Sequence, residues 1–304
     1  MPTPLVHPGF IKTGTTSLQA FLFFVHPQLH ALGHPHGSAL DARISQGLRR
    51  IEGFDDDPGD LREALAMAME ACPPGRVPVL SDETLTADPR LAAATARRLH
   101  RHFPDARILF TLRRQEDLIR SFYGRHGRVL VNTPAPYTDR HVGFEAWLEH
   151  ASRNFPAGVL GMADYARTIE IYDSLFGAER IAILLLEEWK ADAGAFADRL
   201  STILGVDAPT TRQLLGDRRT HGQETDRQVR YDRLAKRFPL AGRLASHLPG
   251  KVRGLARGFL GRGATQRIAL PPGWTERLRD LYRSGNRHLV ERYGLPLGEH
   301  DYAV

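Results

Sequence analysis

Short apolar runs alternate along the chain with longer stretches in which apolar residues recur at helical spacing. A strand covered on both faces is continuously apolar, and this pattern predicts strands over 4–6, 77–80, 107–112 and 180–186. Helical periodicity predicts helices over 61–71, 91–103, 144–151, 165–176, 196–204 and 274–293. Gly177, Gly205 and Gly294 are expected at helix C-termini. The alternation predicts an α/β fold, with a parallel sheet and helices on both faces.

One more helix is predicted directly after the first strand. Gly9 and Gly14 bracket a turn, and the hydroxyl residues 15–17 open a helix whose apolar positions are Leu18, Phe21, Leu22, Val25 and Leu29. Unpaired N–H groups at a helix start bind anions, and Lys12 adds a cation. The segment therefore predicts a cradle for a phosphate or a sulfuryl phosphate. The alternative is a strand–helix turn in which these residues only cap the helix.

The order of residues separates this turn from a nucleotide-triphosphate loop, in which Lys directly follows the second Gly of G-x-x-x-x-G. Here Thr15 stands at that place, and Lys12 lies two residues before Gly14. The run H-x-G-x-x-K-T-G-T-T-S-L-Q, which begins at His7, resembles the 5′-phosphosulfate loop of sulfotransferases that use 3′-phosphoadenosine-5′-phosphosulfate (PAPS). The resemblance implies a P-loop-like sheet and a set of PAPS-binding residues: Lys12, Thr13, Gly14, Thr15, Thr16 and Ser17.

A second segment follows the strand at 107–112. Arg113 stands at the strand end, and Ser121 lies two turns into the predicted helix. Taken alone, this basic and acidic stretch is typical of a solvated helix face. The resemblance implies instead that Arg113 and Ser121 hold the 3′-phosphate of the cofactor. The residue types suit that role, because a guanidinium pairs with phosphate oxygens and a hydroxyl adds a neutral donor.

The strand at 77–80 delivers Asp82 and Glu83 to the sheet edge where ligands bind in open α/β folds. This S-x-E segment resembles that of carbohydrate-type and bacterial sulfotransferases, which implies that Glu83 deprotonates the acceptor. For Asp82 a capping role in the helix after Pro89 is expected, and capping or orienting is the alternative for Glu83. His7 is the rival base, and its alternative role is that of a hydrogen-bonded residue behind the site.

The amino-acid composition limits the classes of protein that fit these predictions. The chain has 304 residues, of which 42% are hydrophobic and 25% charged, as is ordinary for a soluble globular protein. Its net charge of +6 suits a polyanionic cofactor and equally a nucleic acid. Cys72 is the single cysteine, which excludes an internal disulfide and a cysteine metal site and predicts a cytoplasmic protein. No run is apolar and long enough to span a bilayer.

The C-terminal third is basic and less regular. We predict an α/β core over 1–210 and a helical, basic segment over 211–304 that completes the same domain. Arg218 and Arg219 form a basic turn that is expected to close over the cofactor. Residues 238–263 are a candidate contact with the inner membrane surface, and a lid or a solvated helical face is the alternative. The acceptor pocket is expected from loops at 28–60 and 124–162.

The predicted function is transfer of a sulfuryl group from PAPS to a hydroxyl or amine of a sugar, lipid or small metabolite. The resemblance implies that Lys12 stabilises charge on the bridging oxygen and that no metal takes part, with 3′,5′-adenosine bisphosphate (PAP) as product. One alternative is a P-loop kinase that uses ATP and Mg²⁺, which the position of Lys12 disfavours. The other is a basic nucleic-acid-binding protein without catalysis, for which the sequence offers no recognition motif.

Overall fold

The computed structural model describes residues 3–34, 37–50, 59–124, 142–216 and 268–304. Within these ranges, five strands form one fully parallel sheet in the order β2–β3–β1–β4–β5. The strands are β1 (Leu5–Gly9), β2 (Leu29–Ala31), β3 (Val77–Ser81), β4 (Arg107–Leu112) and β5 (Ile181–Leu185). The predicted parallel α/β sheet is confirmed, and β3, β4 and β5 lie within one residue of their predicted bounds. Strand β1 begins one residue later than predicted and extends three residues further, to Gly9, which was expected in the turn.

The α-helices of the described ranges connect and cover these strands. They are α1 (Thr15–Leu18), α2 (Ala39–Leu48), α3 (Gly59–Glu70), α4 (Ala92–His102), α5 (Gln115–Phe122), α6 (Phe144–Arg153), α7 (Gly158–Met162), α8 (Tyr165–Phe176), α9 (Leu186–Ala191), α10 (Ala193–Leu204), α11 (Ala208–Leu215) and α12 (Trp274–Tyr293). The predicted bounds of α8 and α12 are confirmed to the residue. Helix α10 begins three residues earlier than predicted, because the Asp192 side chain caps it by accepting from the Ala195 amide at 2.9 Å.

The long helix predicted after the first strand is wrong in its second half. Helix α1 ends at Leu18 and continues as one π-helical turn over Gln19–Phe23, and Leu29 begins strand β2. Pro27 explains the stop, because proline lacks a backbone N–H and disfavours helical backbone in the residue before it. Val25, expected on the apolar face, is 52% exposed.

The two regions expected to form the acceptor pocket contain regular structure as well as loops. The first holds β2, α2 and the start of α3, of which β2 and α2 were not predicted, and the second holds α6, predicted over 144–151, and α7. Helix α2 forms because the Ser38 hydroxyl caps it by accepting from the Asp41 amide at 3.1 Å, and because Ile44 and Leu48 bury one face. Residues 51–58 and 125–141 lie outside the described ranges.

The two faces of the sheet bury separate apolar clusters, because successive strand side chains point to opposite faces. Val6 and Ile108 face the larger cluster, to which α2, α3, α4, α5, α6, α8 and α12 contribute. Leu5 and Leu109 face the smaller one, which is formed with α1, the π turn, α9, α10 and α11. Helices therefore cover both faces, as predicted.

Helix α12 packs into the larger cluster through Trp274, Leu278 and Leu289. Leu281 lies three residues after Leu278, a spacing that favours the same buried face, but it is 37% exposed. The helix covers a stripe about 100° wide, and Leu281 lies at its margin beside the buried Tyr282. Among the described helices, none is long and apolar enough to cross a membrane. The candidate membrane contact at 238–263 lies outside the described residues and stays a prediction.

Candidate functional site

The candidate site lies at the carboxyl edge of the three central strands. The chain leaves β1 towards β2 on one side of the sheet and leaves β4 towards β5 on the other. Such a reversal opens a crevice between the loops that follow the two strands, where open α/β sheets bind ligands. The β1–α1 loop (Phe10–Gly14) and the β4–α5 turn (Arg113–Arg114) flank this crevice.

A glycine at the end of β1 allows the segment after β3 to approach closely. Gly9 has a φ of 109°, and a Cβ placed there would lie 3.0 Å from the Cα of Glu83. The hydroxyl of Thr86 also donates to the carbonyl oxygen of Pro8 at 3.1 Å. Glu83 is thus fixed beside the start of the β1–α1 loop.

The β1–α1 loop has an unusual backbone at its lysine. Lys12 adopts a φ of 69°, a left-handed conformation that costs a residue with a Cβ about 1–2 kcal/mol. Surrounding bonds hold it there: Thr13 Oγ1 donates to the Phe10 carbonyl oxygen at 2.5 Å, and Arg113 Nη1 donates to the Lys12 carbonyl oxygen at 3.2 Å. Strained non-glycine backbone of this kind concentrates at functional sites.

The hydroxyls predicted to bind phosphate differ in their surroundings. Thr13 and Thr15 both donate to the Phe10 carbonyl oxygen, so their hydrogens are engaged within the loop. The Thr16 side chain is exposed, and Ser17 is buried. Gly14 precedes α1 in a left-handed conformation, and the first amides of the following helix have no intrahelical acceptor. Anion binding here would therefore depend on backbone N–H groups more than on Thr13 and Thr15 hydroxyls.

The β4–α5 turn is held by side chains from helices α8 and α9, and a tyrosine near the C-terminus supports one of them. Tyr165 donates from its hydroxyl to the Arg113 carbonyl oxygen at 2.6 Å. Glu187 accepts from the Arg114 amide at 3.2 Å and from the Tyr302 hydroxyl at 3.0 Å. The Nε of Arg113 is buried and has no hydrogen-bond partner among the described residues. Ser121 lies at the penultimate position of α5 and is half-buried.

Asp82 and Glu83 have separate roles in the backbone that follows β3. Asp82 is buried and accepts from the Thr84 amide at 2.8 Å, from the Thr84 hydroxyl at 2.6 Å and from the Ser45 hydroxyl at 2.6 Å. Its capping role is confirmed, but it caps the short 3₁₀ helix Glu83–Thr86 and not the helix after Pro89, because the chain turns immediately after β3. Glu83 is the first residue of that 3₁₀ helix.

His7 lies beneath the crevice and has no exposed surface. Its Nδ1 is 2.9 Å from Ser81 Oγ, and its Nε2 is 3.3 Å from Thr111 Oγ1. Burial lowers the pKa of His7 to about 3, so the imidazole is neutral near pH 7. The structure thus places His7 as a hydrogen-bonded group behind the loops, where no solvent reaches it.

Several residues around the site had no predicted role: Gln19, Ser81, Thr111, Tyr165, Glu187 and Tyr302. A signal existed for two of them, because Ser81 and Thr111 are polar positions at the carboxyl ends of otherwise apolar strands. Glu187 and Tyr302 act over separations of 73 residues or more, which sequence spacing does not reveal.

A cavity of about 330 Å³ adjoins the segment that contains Glu83. Its lining mixes polar and apolar side chains from α2 and from the stretch between β3 and α4: Gln46, Arg49, Thr84, Leu85, Ala87, Asp88 and Leu91. No group of histidine, cysteine or carboxylate side chains within the described ranges is arranged to hold a metal ion. Arg218 and Arg219 lie outside those ranges, so their predicted contact with the cofactor stays a prediction.

Comparison with known proteins gives structural matches only, since no family model and no curated protein sequence matches this chain. Mouse sulfotransferase SULT7A1, complexed with PAP, matches with a TM-score of 0.50 and 11% identity over 99% of this chain and 89% of that chain. A sulfotransferase from Alicyclobacillus acidocaldarius matches with a TM-score of 0.49 and 21% identity over 68% of this chain and 83% of that chain.

The chain has a sulfotransferase fold. At these identities the likeness concerns the course of the backbone, so chemistry has to be argued from the side chains described above.

Proposed function

We propose that this chain is a sulfotransferase that transfers the sulfuryl group of PAPS to a hydroxyl or amine. One observation carries the proposal: Arg113 Nη1 donates to the carbonyl oxygen of Lys12, which joins the loop suited to a phosphosulfate to the turn suited to a 3′-phosphate. The fold match to a sulfotransferase complexed with PAP supports the same class of donor.

The residues present fit a nucleotide with phosphates at both ends. Backbone N–H groups at the start of α1 receive the 5′-phosphosulfate, with Thr16 exposed beside them. Arg113 and Ser121 receive the 3′-phosphate. Within the described ranges the buried Nε of Arg113 has no hydrogen-bond partner, which supports this assignment, because an unsatisfied buried donor is costly unless a ligand or water pairs with it.

Lys12 is proposed to stabilise the negative charge that develops on the bridging oxygen as the sulfur–oxygen bond breaks. Its left-handed backbone supports this role, since strain is retained where a side chain must be aimed. Stabilisation that grows in the transition state raises the turnover rate, whereas uniform binding does not.

Glu83 is proposed to take the proton from the acceptor. Its Cα lies beside Gly9 at the start of the β1–α1 loop, whereas the neighbouring Asp82 is buried and accepts two hydrogen bonds from Thr84 and one from Ser45. We place the acceptor in the adjoining cavity, because Thr84 lines that cavity and directly follows Glu83. An arginine and an amide in its lining suit a polar acceptor such as a sugar or a small metabolite.

The deciding experiment compares two donors. We expect labelled PAPS and a screen of hydroxyl and amine acceptors to yield labelled product in the presence of EDTA, because the proposed transfer uses no metal. Calorimetry should show PAP binding and much weaker binding of ATP with Mg²⁺. Tight ATP binding with phosphate transfer would make the chain a P-loop kinase. Nucleic-acid binding with a steep salt dependence and no competition by PAP would exclude both enzymes.

A further inference from the structure

One buried chain of hydrogen bonds connects the three segments of the candidate site. It passes from Gln19 through Ser81, His7, Thr111 and Thr13 to a backbone carbonyl. The distances are 3.2 Å for Gln19 Nε2 to Ser81 Oγ, 2.9 Å for Ser81 Oγ to His7 Nδ1, 3.3 Å for His7 Nε2 to Thr111 Oγ1 and 2.8 Å for Thr111 Oγ1 to Thr13 Oγ1.

The direction of every bond in this chain follows from counting hydrogens. A hydroxyl has one hydrogen, and that of Thr13 is donated to the carbonyl oxygen of Phe10. Thr111 must therefore donate to Thr13, which leaves Thr111 Oγ1 as an acceptor for His7 Nε2–H. At the other end, the Gln19 amide donates to Ser81 Oγ, so the hydrogen of Ser81 is available to His7 Nδ1.

The same count of hydrogens determines the tautomer of the His7 imidazole. Nε2 carries the hydrogen, and the lone pair on Nδ1 accepts from Ser81. Neither nitrogen then has a lone pair that could receive the proton of an acceptor. The ring is also enclosed, with Phe23 packed at a centroid distance of 5.3 Å.

We propose that His7, as the neutral Nε2–H tautomer, is a positioning residue that sets the relative placement of Lys12, Glu83 and Arg113. The functional part of this inference rests on the proposed sulfotransferase activity. Ser81 directly precedes the Asp82–Glu83 segment, Thr111 stands two residues before Arg113, and Thr13 follows Lys12.

The backbone around His7 strengthens this link. His7 pairs in register with Ser81, and its carbonyl oxygen accepts from the Asp82 amide at 3.1 Å. On the other side, the β1–β4 register shifts between Val6 and Gly9, which leaves the strand irregular where the imidazole reaches Thr111. The side-chain bonds therefore span a place where regular strand pairing is interrupted, and they fix the spacing there.

The first test measures the tautomer directly, using the full chain labelled with ¹⁵N at histidine. We expect the His7 nitrogen shifts at neutral pH to show hydrogen on Nε2 alone. Hydrogen on Nδ1, or on both nitrogens, would overturn the proposal. This measurement needs neither donor nor acceptor, so it stays decisive even if the chain proves not to be a sulfotransferase.

The second test separates positioning from folding with two variants of one residue. Thr111→Val removes the hydroxyl at nearly constant volume, and we expect a turnover loss of about 10²-fold, as for a small misplacement of reacting groups, with a smaller change in the KM for PAPS. Thr111→Ser restores the hydroxyl and should return turnover close to the wild-type value. His26→Gln alters a second buried histidine, which lies beside Thr211 of α11, and should leave turnover unchanged.

Two results would overturn the positioning role while leaving the proposed function intact. One is wild-type turnover in Thr111→Val. The other is an equal loss in Thr111→Val and Thr111→Ser, which would show that packing and not the hydroxyl matters. A wild-type chain that neither binds PAP nor consumes PAPS would instead contradict the proposed function, and the tautomer measurement would then test only the hydrogen-bond chain through His7.

Discussion

The guanidinium of Arg113 donates from Nη1 to the carbonyl oxygen of Lys12 at 3.2 Å. The contact ties the turn after β4 to the left-handed residue of the loop after β1. An arginine held in this way at one nitrogen keeps other donors for a ligand, and its buried Nε meets no hydrogen-bond partner in the part of the chain that the structure describes. The two groups proposed to contact opposite ends of the donor are therefore coupled before the donor binds.

We expect Arg113→Ala to weaken PAP binding by about 1.5–3 kcal/mol, the range for a hydrogen bond to a charged group. Binding of 5′-AMP, which lacks the 3′-phosphate, should change little. Calorimetry with both nucleotides measures the difference. Arg212→Ala is the control, because Arg212 is an exposed arginine that pairs with Asp198 and should affect neither nucleotide. Equal losses for PAP and 5′-AMP would show that Arg113 acts through the loop and not on the 3′-phosphate.

The contact between Arg113 and Lys12 shows the limit of prediction from the sequence. The two residue types and their neighbouring motifs were visible, but the contact spans 101 positions and depends on which strands are adjacent in the sheet. Helical and strand periodicity predicted α8, α12 and β4 closely, because each buries a regular stripe or run. Periodicity does not determine the order of strands in a sheet. The contact between Lys12 and Arg113 could therefore be found only from the structure.

Local breaks in pattern account for the wrong predictions. The apolar residues on both sides of Pro27 fall at helical spacing and predict one long helix after β1, whereas Leu29 is apolar because it belongs to strand β2. Hydroxyls at strand ends carry no predicted role, although Ser81 and Thr111 complete the hydrogen-bond chain through His7. Buried polar residues between apolar neighbours deserve the same weight as charged motifs, since they must find partners.

Lys12 can be tested for charge and for backbone strain separately. Lys12→Ala and Lys12→Gly both remove the ammonium, and both should lower turnover by about 10²–10³-fold while PAP still binds. Glycine accepts a φ of 69° without strain, which relieves about 1–2 kcal/mol and outweighs its chain-entropy cost of about 0.5–1 kcal/mol. Urea unfolding should therefore find Lys12→Gly more stable than Lys12→Ala.

A higher stability for Lys12→Ala would show that the left-handed conformation is not maintained in solution. Wild-type turnover in either variant, measured at saturating PAPS, would remove Lys12 from the transition state and leave it as a surface cation.

The neighbouring carboxylates give a matched pair of variants. Glu83→Gln should reduce turnover by about 10²–10⁴-fold, the range for a lost general base, with PAP binding near normal and the acidic limb of the pH–rate profile lost. Asp82→Asn should act on stability, because Asp82 accepts three hydrogen bonds at the cap of the 3₁₀ helix. We expect a loss of about 0.5–2 kcal/mol in its free energy of unfolding.

The reverse outcome, with Asp82→Asn inactive at full stability and Glu83→Gln active, would exchange the two roles. If both variants keep their turnover, the acceptor is acidic enough to react without a protein base, and Glu83 has a capping or orienting role.

His7 makes a prediction about stability and pH that is independent of any activity. Burial lowers its pKa to about 3 in the folded chain, against about 6.5 when it is unfolded. Between these values the unfolded chain binds a proton that the folded chain does not, so the contribution of His7 is fully present above about pH 6.5 and is lost as the pH falls. One such group changes the free energy of unfolding by about 1.4 kcal/mol per pH unit.

We therefore expect the stability of the wild-type chain to fall more steeply on acidification than that of His7→Gln, by about 1.4 kcal/mol per unit between about pH 4 and 6. Urea unfolding at several pH values in that window measures both slopes. His26 and His30, whose pKa values are also lowered by burial, are present in both proteins and cancel in the comparison. Equal pH slopes of the free energy of unfolding in the two proteins would mean that His7 is protonated in the folded chain in this range. The hydrogen bonds of His7 to Ser81 and Thr111 would have to rearrange for that to happen.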